Sequence, residues 1–252
     1  MPRHPLRRLS GALPRLLAPL AALLLLAACQ PSVPRGSELF PLDAGRVWTY
    51  RVITEREDES REVETLTLRT LGPEMLDDVA ARKPGEAWRR RSDSGVDYWL
   101  RSDASGIYRV ASKSDLQAEP QPDAQPRYVL KQPYAEGTNW TGETTPYLLV
   151  RTQDWPREIR HVHPQLPITY AIVATAVEVK VNGKVYSDCL KVEGRGALHL
   201  FVDPVVGFRD VPVLQREWFC PGSGLVRLER EELTGSRYTY GGRLLMELIE
   251  ET

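Results

Sequence analysis

The chain has 252 residues, with 33 Lys plus Arg against 34 Asp plus Glu, a formal net charge of −1 and a hydrophobic fraction of 42%. That length holds one sizeable domain or two small ones, and the balanced charge excludes the basic footprint that nucleic-acid binding requires. Three cysteines and four histidines limit the metal and thiol chemistry open to it.

The first 28 residues read as a secretory signal. Arg3, Arg7, Arg8 and Arg15 form a basic segment, and an apolar run from Leu16 to Ala28 follows. The run is 13 residues long, short of the ~20 that a helix needs to cross a bilayer. Arg7-Arg8 lacks the flanking residues of a twin-arginine signal. Leu26-Ala27-Ala28-Cys29 has the order of a lipobox, two small residues before a thiol, so Cys29 is the expected lipidation site and first residue of the mature chain. Gln30 stands where an aspartate would resemble an inner-membrane retention signal, which points to the outer membrane. The removed segment carries four arginines and no acid, leaving 224 residues with 29 basic and 34 acidic side chains. Such a surface has no excess of cations for anionic head groups, so the expected membrane contact is the lipid anchor. Residues 29–38 read as a tether of Pro, Ser, Gly and Arg, and residues 39–252 as the folded domain.

From Leu39 onward, β-branched and aromatic residues alternate with polar ones between Gly, Pro, Asn and Asp, the pattern of half-buried antiparallel strands. Val47–Ile53 and Val63–Leu71 form the first predicted hairpin, around a charged turn at Glu55–Ser60. A helical turn is expected near Met75–Ala81, then short strands at Ala87–Arg91, Val96–Arg101 and Ile107–Ala111. Ser114–Pro126, with three prolines and Leu116 as its single aliphatic side chain larger than alanine, reads as an exposed loop. Strand pattern resumes at Tyr128–Leu130, near Trp140 and at Tyr147–Arg151, and Trp155–Pro167 reads as another loop.

Asn182-Gly183 supplies the positive-φ pair of a type I′ turn inside a hairpin over about Thr169–Glu193. Its register places Val181 opposite Lys184 and Val179 opposite Tyr186, with Cys189 on the face away from the valines. Asp188 then falls on the apolar face, a conflict that a bulge near Ser187 would relieve. Val213–Cys220 and Leu225–Glu231 form a second hairpin through Pro221-Gly222-Ser223-Gly224, and Tyr238–Tyr240 and Leu244–Ile249 close the chain as strands. The expected fold is mainly β: one domain of ten or so antiparallel strands, as a curved sheet or partly open barrel.

Few residues offer chemistry. Once Cys29 is lipidated, Cys189 and Cys220 remain as an even pair in a compartment where disulfides persist; they either bridge or stay as two buried thiols. His161, Val162 and His163 would set two imidazoles on one side of an extended segment, and His199 could supply a third zinc ligand, but a bare His-x-His is a weak signal beside a motif that fixes ligands and base together. Ser223 lies in Pro-Gly-Ser-Gly, a turn and not a nucleophile elbow. Arg89-Arg90-Arg91 could grip an anion, yet on a strand these side chains alternate between faces, and a solvated rim is the simpler reading. Six tryptophans could line an apolar pocket or fill a core. No metal or cofactor is expected.

Leu39-Phe40-Pro41-Leu42-Asp43-Ala44-Gly45-Arg46-Val47-Trp48-Thr49-Tyr50 resembles the Phe-Pro-Leu-x-x-Gly-x-x-Trp-x-Tyr opening of uncharacterised bacterial lipoproteins and secreted proteins. Glu217-Trp218-Phe219-Cys220-Pro221-Gly222-Ser223-Gly224-Leu225-Val226-Arg227 is similar to an aromatic strand, glycine turn and Leu-Val strand of the same group, with Cys220 in place of a small residue. The resemblance implies a β-rich envelope domain and brings no catalytic residues. The expected function is a non-catalytic, periplasm-facing binding or envelope-assembly module with an envelope protein partner. The alternative is a carrier of a lipid or other apolar ligand, and the third reading is a metal-dependent hydrolase using His161, His163 and His199.

Overall fold

The computed structural model describes residues 36–77, 84–152 and 165–252. Its elements are a helical turn α1 (Gly36–Leu39) and the strands β1 (Val47–Arg56), β2 (Arg61–Leu76), β3 (Gly85–Ser92), β4 (Val96–Asp103), β5 (Gly106–Ser114), β6 (Gln121–Lys131), β7 (Asn139–Thr144), β8 (Val150–Arg151), β9 (Leu166–Val181), β10 (Lys184–Asp203), β11 (Gly207–Cys220), β12 (Gly224–Glu232), β13 (Thr239–Tyr240) and β14 (Gly242–Glu251). Gly36–Glu38, expected in the tether, belong to the fold: Phe40 N closes a turn on Gly36 O, and Glu38 O accepts from Gly222 N.

Twelve strands form one antiparallel sheet in the order β6-β5-β4-β3-β2-β1-β14-β12-β11-β10-β9-β7. β1–β6 is a meander, and the C-terminal strand β14 inserts between β1 and β12. The two edges, β6 and β7, come back towards each other, where Arg127 Nη2 donates to Glu143 O at 2.7 Å. The sheet curls into a barrel that is nearly closed at this seam.

Alternation sorts side chains between its two faces. Pairing carries Val52, Met246, Leu228, Glu217, Val192 and Ile172 across six strands, from β1 to β9, on the inner face. The next outward row is Arg51, Glu247, Arg227, Trp218 and Lys191, tied by an Arg51–Glu247 ion pair at 3.0 Å and by Lys191 and Arg227 over the Trp218 ring. One end of the interior packs Leu39 and Phe40 from α1 and its exit against Leu100, Ile107 and Leu130 from the first half and Trp140, Ile172, Leu190 and Phe219 from the second. At the other end Leu149, reaching in from β7–β8, covers Ile168, Leu198, Val202, Val211 and Val213.

Four local expectations change. Met75 and Leu76 lie in β2, not in a helical turn, because Gly72 takes φ 124° in a register shift that lets the strand continue against β3, while residues 78–81 of the expected turn lie outside the described residues. Gln121–Pro126 belongs to β6: Pro122 and Pro126 sit on a free sheet edge, where a missing N–H costs little, and Asp123 binds Arg109 Nε and Nη2 at 2.7 and 2.6 Å. Cys189 turns inward. After Tyr186↔Val179 the next pair is Cys189↔Val177, so β10 spends one extra residue, with Asp188 at φ 56°, and the faces exchange. The bulge that removes Asp188 from the apolar face is therefore also what buries Cys189.

The arginine triplet is not a solvated rim. Arg89 Nη2 and Arg91 Nη1 close on Asp97 Oδ2 at 2.9 and 3.0 Å on the outer side. Arg90 points inward, 6% exposed, with its guanidinium 4.3 Å from the ring centroids of both Phe40 and Trp48.

Candidate functional site

Besides the inward Arg90, the inner face carries a polar cluster where β11 and β12 run side by side. Gln215 and Glu217 alternate inward with Val213 on β11, and Arg230 and Glu232 do so with Leu228 on β12. Arg230 Nε donates to Glu232 Oε1 at 2.6 Å, its Nη1 to Gln215 Oε1 at 2.8 Å and Thr144 Oγ1 at 3.0 Å, and its Nη2 to Thr145 O at 3.2 Å. Its plane lies 4.3 Å from the Tyr147 ring centroid. Glu232 Oε2 accepts from the backbone N–H groups of Tyr147 and Leu148. The pair thus pins the chain that leaves β7 across one end of the barrel.

Glu217 is bound differently. It receives a hydrogen bond from Gln215 Nε2 at 2.8 Å, while the Arg230 donors are spent on other acceptors. Its side chain is partly buried, and protein surrounds it closely enough that burial lifts its carboxyl to about 7, against the opposing effects of Gln215 and Arg230. Tyr170, stacked on Trp140 at 5.6 Å, lies over Gly194 and beside Gly142, where a Cβ would meet its ring at 2.6 and 3.3 Å. Burial, with Glu217 adding to it, holds the Tyr170 phenol well above its ordinary value. The indole Nε1 of Trp140 is buried without a hydrogen-bond partner.

Around this cluster the inner face stays open in part. Val52, Leu66, Leu68, Leu228 and Leu244 pack on the core yet are only partly buried. β3 pairs with β2 only from Leu68 to Leu76, so Arg61–Leu66 has no strand neighbour on that side among the described residues, and the wall stops beside Leu66. The arrangement offers hydrocarbon surface with one protonatable group. Among the described residues there is no nucleophile with a base and orienting acid, and no group of three metal-ligating side chains.

Cys29, His161 and His163 lie outside the described residues. His199 sits on the exposed side of β10, 67% accessible, with Nδ1 2.8 Å from Asp210 Oδ1 and its ring stacked on Phe208. Ser223 Oγ donates to Glu251 Oε1 at 2.8 Å and has no imidazole partner. Cys189 and Cys220 are joined by a disulfide, with Cα atoms 4.1 Å apart. Sequence reading missed Gln215, Glu217, Arg230 and Glu232. Their signal was polar residues at the inward parity of strands whose neighbours are Val213, Phe219 and Leu228.

No family model and no curated protein matches the chain. Three solved structures align with the chain. A protein described as a lipoprotein from Parabacteroides distasonis ATCC 8503 aligns over 88% of this chain and 100% of its own, with 13% identity and a TM-score of 0.43. An exported protein with a YmcC-like fold from Bacteroides fragilis NCTC 9343 aligns over 84% and 98%, with 13% identity and a TM-score of 0.34. A LolA superfamily protein from Nitrosomonas europaea aligns over 86% and 89%, with 10% identity and a TM-score of 0.31. Values this low transfer no ligand or activity.

Proposed function

We propose that the protein is a lipid-anchored, envelope-facing binding protein whose concave face takes the apolar part of an amphiphile. The observation that carries this is the partial exposure of Val52, Leu66, Leu68, Leu228 and Leu244 on adjacent strands of a curled sheet, beside the free edge of β2. An inner face meant only as core would be covered; concave apolar surface with a few polar groups is the usual make-up of a small-molecule site. The polar cluster marks where a head group or chain end would meet hydrogen-bonding groups. This favours the carrier reading over a purely structural assembly module, and it uses no catalytic step.

The anchor belongs to the same proposal. Cys29 would carry the acyl chains, and the outer membrane is the expected destination. Two measurements test the reading. The purified protein should enhance the fluorescence of the uncharged dye N-phenyl-1-naphthylamine, and a long-chain amphiphile should displace the dye; no enhancement at saturating dye would refute the site. A Cys29→Ser variant should lose membrane fractionation and accumulate unprocessed, whereas unchanged fractionation would refute the anchor.

A further inference from the structure

The inner row Val52, Met246, Leu228, Glu217, Val192 and Ile172 has one ionisable member, and it lies between Leu228 and Val192 in the middle of the concave face. The titratable and charged groups facing it are Arg230 and Glu232 from β12, Tyr170 from β9 and Tyr147 from the chain after β7. Arg230 is held by Glu232, Gln215, Thr144 and Thr145, so the bond that Glu217 receives comes from the neutral Gln215 amide. The carboxyl therefore depends for charge stabilisation on whatever water reaches it through the concave side.

We propose that Glu217 takes up a proton when an alkyl chain occupies the concave face, so that the protein holds an amphiphile more tightly in mildly acidic conditions and releases it as the pH rises. This rests on the amphiphile-binding reading. A chain laid over Leu228 and Val52 removes that water, and a carboxylate without water or a cation is disfavoured relative to the neutral acid. Occupancy then raises the proton affinity of Glu217, and by linkage a proton raises the affinity for the chain. Burial by the protein's own side chains already lifts the carboxyl to about 7. The extra affinity is fully present below that value and is lost as pH rises through the higher value of the occupied protein. Each unit between the two corresponds to about tenfold in affinity.

The test is a titration of the whole purified protein with N-phenyl-1-naphthylamine, which carries no charge in this range, at about pH 5.5 and about pH 8.5, together with calorimetry near neutrality in buffers of different ionisation enthalpy. The expected result is binding about tenfold tighter at the lower pH and, for that tenfold, a net uptake of about half a proton per dye at pH ~7.5. Glu217→Gln should bind with the tight, low-pH affinity at both values. Equal affinity at both pH values in the wild type, or an unchanged pH slope in Glu217→Gln, overturns the proposal and leaves the binding reading intact. No binding at either pH overturns the binding reading itself. Should Glu217→Gln fail to fold, the proton count in the wild type decides: uptake of about half a proton per dye at pH ~7.5 supports the proposal and zero uptake overturns it.

Discussion

Arg230 and Glu232 meet at 2.6 Å with side chains 1% and 0% exposed, an ion pair sealed inside a β barrel. Two charges so far from water hold because each has further hydrogen-bond partners, Gln215, Thr144 and Thr145 on Arg230 and the N–H groups of Tyr147 and Leu148 on Glu232. Removing one partner leaves the other charged and unpaired. Arg230→Met is expected to destabilise the fold by about 3–5 kcal/mol, measured by denaturant unfolding. A loss below ~1 kcal/mol would show that the pair is solvated in the native state. Protease sensitivity should rise first at Thr145–Leu149, the segment the pair pins.

Glu217 makes a prediction of opposite sign to most carboxylates. Its folded-state value, about 7, lies above the ordinary 4.5, so the folded protein holds a proton that the unfolded chain releases. That contribution to stability is complete below the unfolded value and is lost as pH rises to about 7. Glu217→Gln should therefore gain stability relative to wild type as pH increases over this window, by roughly 1–3 kcal/mol at its upper end. Glu57 acts the other way: burial raises its value, but hydrogen bonds from Gly241, Gly235 and Thr234 outweigh that and hold it below the usual range. The readout is accordingly the difference between variant and wild-type melting temperatures at each pH, and a difference independent of pH would refute it.

Arg90 is a packing residue as much as a charge. It lies between Phe40 and Trp48, donates to Pro41 O at 2.6 Å and contacts Thr70 Oγ1. Burial lowers its guanidinium to about 10, so it remains a cation at neutral pH. Arg90→Lys keeps the charge and loses the planar stack and fork, and is expected to cost about 2 kcal/mol. Equal stability of the lysine variant in urea would show that charge alone suffices.

The Cys189–Cys220 disulfide spans 31 residues. In the chain-entropy view such a bridge contributes roughly 3–4 kcal/mol by restricting the unfolded chain. Reduction should lower the melting temperature without abolishing the β-sheet circular dichroism, since the bridge joins strands already paired through β10 and β11. Non-reducing peptide mapping of exported protein should find the two cysteines in one linked fragment; free thiols at both would refute the bridge.

The amino-acid sequence alone determined the strand-rich class, the Asn182-Gly183 turn and most strand positions, because alternation and positive-φ turns are local properties that need no partner to be recognised. The Phe40-Pro41-Leu42 to Tyr50 stretch and the Glu217 to Arg227 stretch were also visible, but as two separate motifs. Tertiary structure decided that they are one. Trp48 Nε1 donates to Ser223 O at 2.7 Å, Tyr50 OH donates to Leu225 O at 2.9 Å, and Gly222 N donates to Glu38 O. The same holds for the interior. Gln215, Glu217, Arg230 and Glu232 read as ordinary polar positions until the insertion of β14 between β1 and β12, and the inward curl of the sheet, set them against Thr144 and Tyr147. Burial of a charge depends on which distant strands close over it, and the inward turn of Cys189 depends on a one-residue bulge. Neither is fixed by local spacing.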